Sequence, residues 1–156
     1  MSFKDWLWRK RTLEHYLNPE EQARVVNAIK NAESSTSGEL RIHIELRCTG
    51  DPLAKAAALF TRLEMDKTEL HNGVLIYCAL KDRRFALYGD SGIHARLGQA
   101  YWQELAEKVQ QEIRGNSLAA GLSLAAESVG KGLAEHFPRT ADDRNELPDT
   151  ISFQKS

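Results

Sequence analysis

Apolar and polar residues alternate strictly over residues 40–47, and this is the clearest pattern in the chain. A period of two predicts a β-strand with one apolar and one polar face. The polar face includes His43 and Glu45, which we interpret as part of a solvated surface with cross-strand charge pairs. Residues 74–80 carry no charge and are typical of a strand buried on both faces. Residues 84–88 predict a third strand, which returns antiparallel after a short polar turn.

Apolar residues at helical spacing predict five helices around these strands. A capping pattern at Asn18, Pro19 and Glu21 marks the start of one helix, and Asp51-Pro52 marks another. The predicted order is α-α-β-α-β-β-α-α, with a glycine-punctuated loop at 89–98. A right-handed crossover makes the first two strands parallel, whereas the hairpin makes the third antiparallel. The chain is therefore assigned to the α/β class, with a small mixed sheet covered by helices.

The sequence divides into three parts, at residues 1–17, 18–137 and 138–156. The first part predicts an amphipathic leader helix and the second an α/β body, whereas the third is a polar tail that we expect to be flexible. The leader combines Trp6 with lysine and arginine residues. It therefore either covers part of the core or lies on an anionic membrane as a peripheral anchor. The covering role is favoured because a surface anchor usually carries more basic charge.

The charge balance limits the classes of partner. The 156 residues include 21 basic and 22 acidic side chains, and this balance argues against a general nucleic-acid binder. No apolar run approaches the roughly 20 residues of a membrane-spanning helix, and charges interrupt any signal-peptide core. Cys48 and Cys78 lie in predicted strands without metal-binding spacing, so they are expected to be buried thiols. These features indicate a cytoplasmic protein.

Three polar segments are expected to converge at one edge of the sheet: residues 37–39, 71–73 and 89–94. The first two strands begin at this edge and the third ends there, and glycines allow the backbone to approach a ligand closely. The candidate cation ligands are Glu39, Asn72, Asp90, His71 and His94. Their oxygens suit a hard cation, whereas the imidazoles suit a transition metal. The alternative interpretation is that the segments are ordinary turns.

Motifs of several common enzymes are absent from the sequence. It contains no P-loop, no H-E-x-x-H helix and no G-x-S-x-G turn. Ser91 follows a Gly-Asp pair, but His94 is in the same loop and no third group orients it. The sequence therefore does not support a serine nucleophile.

Three motifs resemble the TPM-domain family: Ser37-Gly38-Glu39-Leu40-Arg41-Ile42, Asn72-Gly73-Val74-Leu75-Ile76 and Gly89-Asp90-Ser91-Gly92-Ile93. Their order and separation carry the resemblance, which runs from about Asn18 to Phe137 and is nearest to the short soluble bacterial members. It implies a three-layer α/β/α sandwich that binds a divalent cation, often calcium, at this edge. It also implies a role in maintaining membrane protein complexes. Plant members have been credited with acid phosphatase activity, so a metal-dependent acid phosphatase of low activity is the alternative function.

Two positions depart from the family pattern. The family often has aspartate before the Asn-Gly pair, where this chain has His71, and glutamate after the glycine loop, where it has His94. Loss of these carboxylates should weaken calcium binding and favour a transition metal, and it also weakens the case for a phosphatase. We therefore expect an accessory domain that binds a divalent cation and an unidentified protein partner. That partner can be membrane-embedded, which would place the protein at the inner membrane face.

Overall fold

The computed structural model describes residues 2–139 and 151–154. The helices are α1 Phe3–Tyr16, α2 Pro19–Glu33, α3 Pro52–Arg62, α4 Ser91–Leu97, α5 Gln99–Gly115 and α6 Leu118–His136. A short 3₁₀ helix, Met65–Lys67, follows α3. The strands are β1 Glu39–Glu45, β2 Gly73–Ala79, β3 Arg84–Gly89 and β4 Ile151–Gln154. The predicted order of elements is confirmed, and α4, the 3₁₀ helix and β4 are additions to it.

The four strands form one mixed sheet in the order β3-β2-β1-β4. β1 is parallel to β2, with Leu40 opposite Val74 and Ile44 opposite Cys78. β3 is antiparallel to β2, and β4 is parallel to β1. The predicted directions of the first three strands are therefore confirmed, and β3 and β4 form the two edges of the sheet.

Helices cover both faces of the sheet. The main core lies between the sheet and helices α2, α5 and α6, where Ile42, Ile76 and Val129 are fully buried. A second core lies on the opposite face, where Phe60 of α3 packs with Leu75 and Tyr77 of β2. The predicted three-layer α/β/α sandwich is therefore confirmed.

The start of α2 shows how local sequence directs the fold. The Asn18 side chain accepts a hydrogen bond from the backbone N–H of Glu21 at 2.8 Å, and Glu21 accepts one from the Asn18 N–H at 3.1 Å. This is the predicted capping box, and Pro19 occupies the first turn. A cap of this kind stabilises a helix by about 1 kcal/mol. It also fixes the chain beside Leu17, which is fully buried.

The polar face of β1 differs from the prediction of a solvated surface. His43 is 2% exposed and Glu45 is 0% exposed. On this face α3 places the ammonium group of Lys55 at 3.8 Å from a Glu45 carboxylate oxygen. Alternation assigns residues to opposite faces of a strand, but it does not reveal what covers each face. In this sandwich both faces are covered.

Besides the 3₁₀ helix, two segments adopt regular structure where the sequence predicted none. Residues 91–97, expected within a loop, form α4 because the Asp90 side chain caps the Ser91 N–H at 2.8 Å and Ile93 is buried. Residues 151–154, in the tail expected to be flexible, form β4, with Ile151 opposite Ile42 of β1. Pairing with a distant strand leaves little local signal. Residues 140–150 and 155–156 of that tail lie outside the described residues.

Both cysteines are buried, as predicted. Cys78 lies on β2, where burial raises the pKa of its thiol to about 12. Cys48 lies in the loop after β1 rather than in a strand, and its N–H donates to the Asp82 carboxylate at 2.8 Å. Neither thiol is therefore placed as an exposed nucleophile.

Candidate functional site

The entrances of β1 and β2 and the exit of β3 meet at one end of the sheet. Glu39 lies opposite Gly73, and the Glu39 N–H donates to the Asn72 carbonyl oxygen at 3.3 Å. The Asp90 N–H donates to the Gly73 carbonyl oxygen at 2.9 Å. The predicted convergence of the three backbone segments is therefore confirmed. Their role as cation ligands stays a prediction.

The carboxylate of Asp90 lies at the centre of this end of the sheet. One of its oxygens accepts from the Ser91 N–H at 2.8 Å, and the other lies 3.3 Å from Nδ1 of His71. The Asp90 side chain is 13% exposed, whereas the His71 side chain is 57% exposed. The pair therefore combines an accessible imidazole with a carboxylate that the first turn of α4 holds in place.

Gly92 allows α4 to approach the segment before β2. A Cβ atom at this position would lie 2.3 Å from the Leu70 carbonyl oxygen and 2.6 Å from that of His71. Only glycine fits such an approach without a shift of the backbone. His71 itself has a φ of 50°, a conformation that costs a residue with a side chain about 1–2 kcal/mol. The close approach at Gly92 and the turn at His71 together position the Asp90 and His71 side chains for their contact.

Asn72 and Glu39 lie beneath this surface rather than on it, since each is 2% exposed. The Asn72 side-chain amide donates to the hydroxyl of Ser37 at 3.3 Å, and its backbone N–H donates to the hydroxyl of Thr68 at 3.4 Å. Asn72 therefore ties the entrance of β1 to that of β2. In this arrangement Asn72 stabilises the end of the sheet and does not present its side-chain oxygen to solvent.

His94 is exposed and lies one helical turn beyond Asp90. The two side chains line a cavity of about 330 Å³, with Leu53 and Trp102 among its walls. Trp102 is 6% exposed, and its indole N–H has no hydrogen-bond partner in the described part of the chain. The cavity therefore joins polar groups at its mouth to a largely apolar wall.

The five candidate residues fall into two groups. Asp90, His71 and His94 reach the surface, and we call these three residues the rim. Glu39 and Asn72 support the rim from beneath. Over residues 2–139 and 151–154, no group of three or more histidine, cysteine, aspartate or glutamate side chains is arranged to hold a metal ion. The one direct side-chain contact within the rim is between Asp90 and His71.

A buried polar network on β1 was missed at the sequence level. The Tyr77 hydroxyl donates to Glu45 at 2.8 Å, and Nε2 of His43 lies 3.5 Å from the same carboxylate. On its other side, Nδ1 of His43 lies 2.6 Å from the Ser152 hydroxyl of β4. The alternating polar residues were the available signal, but they were interpreted as solvated.

Burial controls the protonation of this network. It lowers the pKa of His43 to about 4, although the neighbouring Glu45 carboxylate acts in the opposite direction. Burial also raises the pKa of Tyr77, and the contacts with Cys48 and Glu45 add to the effect. Both side chains are therefore neutral at pH 7. The network links β1 to β2 through Glu45 and Tyr77, and β1 to β4 through His43 and Ser152.

These observations define a small α/β/α sandwich domain with a polar rim at the strand entrances of a mixed sheet. A sequence profile of the TPM domain matches residues 11–132, so the chain belongs to the TPM-domain family. The chain is similar to the BA42 protein of the psychrophilic bacterium Bizionia argentinensis, known from an NMR structure. The TM-score is 0.82 at 40% identity, over 89% of this chain and 96% of that one.

A more distant likeness is to the N-terminal domain of a protein from P. gingivalis, also solved by NMR. The TM-score is 0.65 at 18% identity, over 80% of this chain and 83% of that one, and it shows the fold alone. No curated protein sequence matches the chain. Within the described residues, no helix combines the length and apolar character needed to cross a bilayer.

Proposed function

We propose that this TPM domain is a non-enzymatic accessory module that binds a divalent cation at the rim and docks there on a protein partner. The observation that carries the proposal is the contact between Asp90 and His71, at 3.3 Å, where the three polar segments meet. In line with the family resemblance, the partner belongs to a membrane protein complex that the module helps to maintain.

The residues of the rim fit a cation only in part, and the fit sets the expected affinity. Asp90 and His71 would supply the two protein ligands, with His94 available one turn along α4. Glu39 and Asn72 are too deeply buried to reach the ion directly, so they would position the others. With so few protein ligands the ion keeps much of its water, and binding should be weak.

The donor set favours a transition metal over calcium. Calcium takes six to eight oxygen ligands, often from several carboxylates, whereas the rim carries the single carboxylate of Asp90. Imidazole nitrogens such as those of His71 and His94 suit zinc and nickel. We therefore expect zinc or nickel to bind more tightly than calcium or magnesium, despite the calcium binding that the family resemblance implies.

Exposed apolar side chains beside the rim support a protein partner. Leu70, directly before His71, is 55% exposed, and Leu53, in the wall of the neighbouring cavity, is 45% exposed. Apolar groups beside fixed polar groups are typical of the centre of a protein interface. A partner that covered both leucines would also cover the rim, so cation binding and docking would share one surface.

NMR titration of the full chain with zinc, nickel, calcium and magnesium tests the cation site. Backbone shifts confined to residues 37–39, 71–73 and 89–94 are expected, and Asp90→Asn should weaken binding at least tenfold while retaining an oxygen that can cap α4. Asp66→Asn, at an exposed carboxylate of the 3₁₀ helix, is the matched control. Shifts that avoid these segments, or an unchanged affinity in Asp90→Asn, would remove the proposal.

The metal-dependent acid phosphatase remains the second candidate, because a cation beside the Asp90–His71 pair could polarise a phosphate ester and activate water. Turnover of a simple aryl phosphate should be compared with and without each metal. Metal-dependent turnover that Asp90→Asn abolishes would favour the enzyme. An absence of turnover under conditions in which NMR shows the metal bound would favour the accessory module.

A further inference from the structure

A second cavity lies at the end of the sheet opposite the rim. It is bounded by the turn between β2 and β3, by the C-terminal end of α5 and by the start of α6, and its volume is about 560 Å³. Small-molecule sites are usually about 300–1,000 Å³ in volume. The cavity is therefore large enough for a small organic ligand, and it shares no residue with the rim.

The inside of this cavity is apolar. Four large side chains around it are each only partly buried, although each packs against the main core: Tyr16, Phe85, Ile113 and Leu118. The lining also includes Cys78 of β2 and Leu80, which directly follows the strand, and both are buried. A ligand with an alkyl chain would cover apolar surface that the fold leaves accessible, which is favourable in proportion to the area removed from water.

The mouth of the cavity is strongly basic. Arg83, Arg84 and Arg114 line it and are exposed, and the lining contains no aspartate or glutamate. Within the described residues none of the three guanidinium groups takes part in an ion pair, and Arg84 donates to the Gly50 carbonyl oxygen at 3.2 Å. The nearby Asp82 faces away, toward Arg47 and the Cys48 N–H. Since Arg84 is directed to Gly50, on the face of the sheet that α3 covers, Arg83 and Arg114 are the two arginines of the lining whose guanidinium groups make no ion pair or hydrogen bond within the described residues.

We propose that this cavity binds a monomeric fatty acid, with the alkyl chain inside and the carboxylate at Arg83 and Arg114. Guanidinium groups bind carboxylates through paired hydrogen bonds. Inorganic phosphate would use the arginines but leave the apolar walls uncovered. A membrane surface could not place an alkyl chain in a concave site without extracting the lipid. The site is separate from the rim and does not depend on the proposed cation.

Calorimetric titration of the full chain with octanoate, decanoate and laurate, each kept monomeric, tests the proposal. Each added CH₂ group should tighten binding by about fourfold until the cavity is full. Dodecanol, which lacks the charge, should bind at least tenfold more weakly than laurate, as should inorganic phosphate. NMR shifts should centre on Ile113 and Leu118.

Variants locate the carboxylate. Arg114→Gln should weaken laurate binding by about three- to tenfold and reduce its dependence on salt, whereas Arg24→Gln, an exposed control on α2, should leave both unchanged. Because Arg114 is exposed, the substitution should not affect folding, and circular dichroism can check this. The salt dependence of laurate binding by the unmodified chain is a second measurement of the charge interaction.

Several results would overturn the fatty-acid site. Equal binding of dodecanol and laurate would leave an uncharged apolar cleft, and equal binding of phosphate and laurate would leave a general anion site. Binding to anionic vesicles without binding to monomeric laurate would indicate a membrane surface instead. Unchanged affinity in Arg114→Gln, together with insensitivity to salt, would also reject the proposal.

Discussion

His43 shows how burial turns an ionisable side chain into a neutral structural one. It stands between the Glu45 carboxylate, 3.5 Å from its Nε2, and the Ser152 hydroxyl, 2.6 Å from its Nδ1. The imidazole therefore connects β1 to the edge strand β4 through a contact that is almost completely hidden from solvent. Protonation would place a cation in this enclosed position, where the partial compensation by Glu45 does not offset the loss of hydration.

The pKa of His43 makes stability depend on pH. Burial lowers this pKa from 6.5 to about 4 in the folded chain, so between these values the unfolded chain binds more protons. The full contribution is present above about pH 7 and is lost as pH falls from 6.5 toward 4. The free energy of unfolding should drop by about 2 kcal/mol from this residue between pH 7 and pH 5.

Urea denaturation of the unmodified chain and of His43→Gln at both pH values measures this contribution. The variant carries a neutral side chain, so its stability should fall by about 2 kcal/mol less over the same pH interval. His15→Gln, at an exposed position of α1, is the control and should retain the dependence. The same pH dependence in His43→Gln would mean that this imidazole is not the titrating group.

At the level of elements, α1 is divided along its length between covering the core and facing solvent. Toward its C-terminal end it covers the core, since Leu13 packs against the main core and Trp8 stacks on Phe153 of β4 at 6.4 Å. Toward its N-terminal end, Phe3 and Trp6 are 73% and 48% exposed and stack on each other at 5.9 Å. The predicted apolar face is therefore divided between the core and solvent.

The exposed pair on α1 should mediate weak attachment to anionic membranes. Two aromatic side chains accompanied by Lys10, which lies 5.3 Å from the Trp6 ring, form a small interfacial patch. In flotation with anionic liposomes, the bound fraction should fall several-fold in the double variant Phe3→Ser, Trp6→Ser. Leu70→Ser removes an equally exposed apolar side chain elsewhere and should not change it. Equal flotation of all three proteins would leave α1 with the covering role alone.

Strand directions and capping were readable from the sequence because their causes are local. The alternation at residues 40–47 and the capping residues at 18–21 each act within a few positions, and the crossover rule then placed Asp90 beside the entrance of β2. The coverage of His43 and the pairing of residues 151–154 depend on distant elements. The same distinction applies to the candidate site. The convergence of its three segments followed from the topology and could be predicted. The burial of Asn72 and Glu39 depends on side-chain packing and could not.

At the level of the whole molecule, β2 joins two cores that lie on opposite faces of the sheet. Its neighbouring residues Leu75 and Ile76 are both fully buried, Leu75 in the core beneath α3 and Ile76 in the core beneath α2, α5 and α6. Loss of either core would expose one face of the same central strand. The two helical layers should therefore not unfold independently.

Matched substitutions on β2 test this coupling. Leu75→Ala and Ile76→Ala should each lower the free energy of unfolding by about 2–5 kcal/mol, because each leaves a cavity in a fully buried site. Tryptophan fluorescence reports on Trp102 in the main core, among other tryptophans, whereas far-UV circular dichroism reports on all the helices. If β2 makes the domain one cooperative unit, the two signals should give the same urea midpoint within each variant. Separate midpoints in Leu75→Ala, with the fluorescence transition unshifted, would show that the α3 layer unfolds alone and that the shared strand does not couple the two cores.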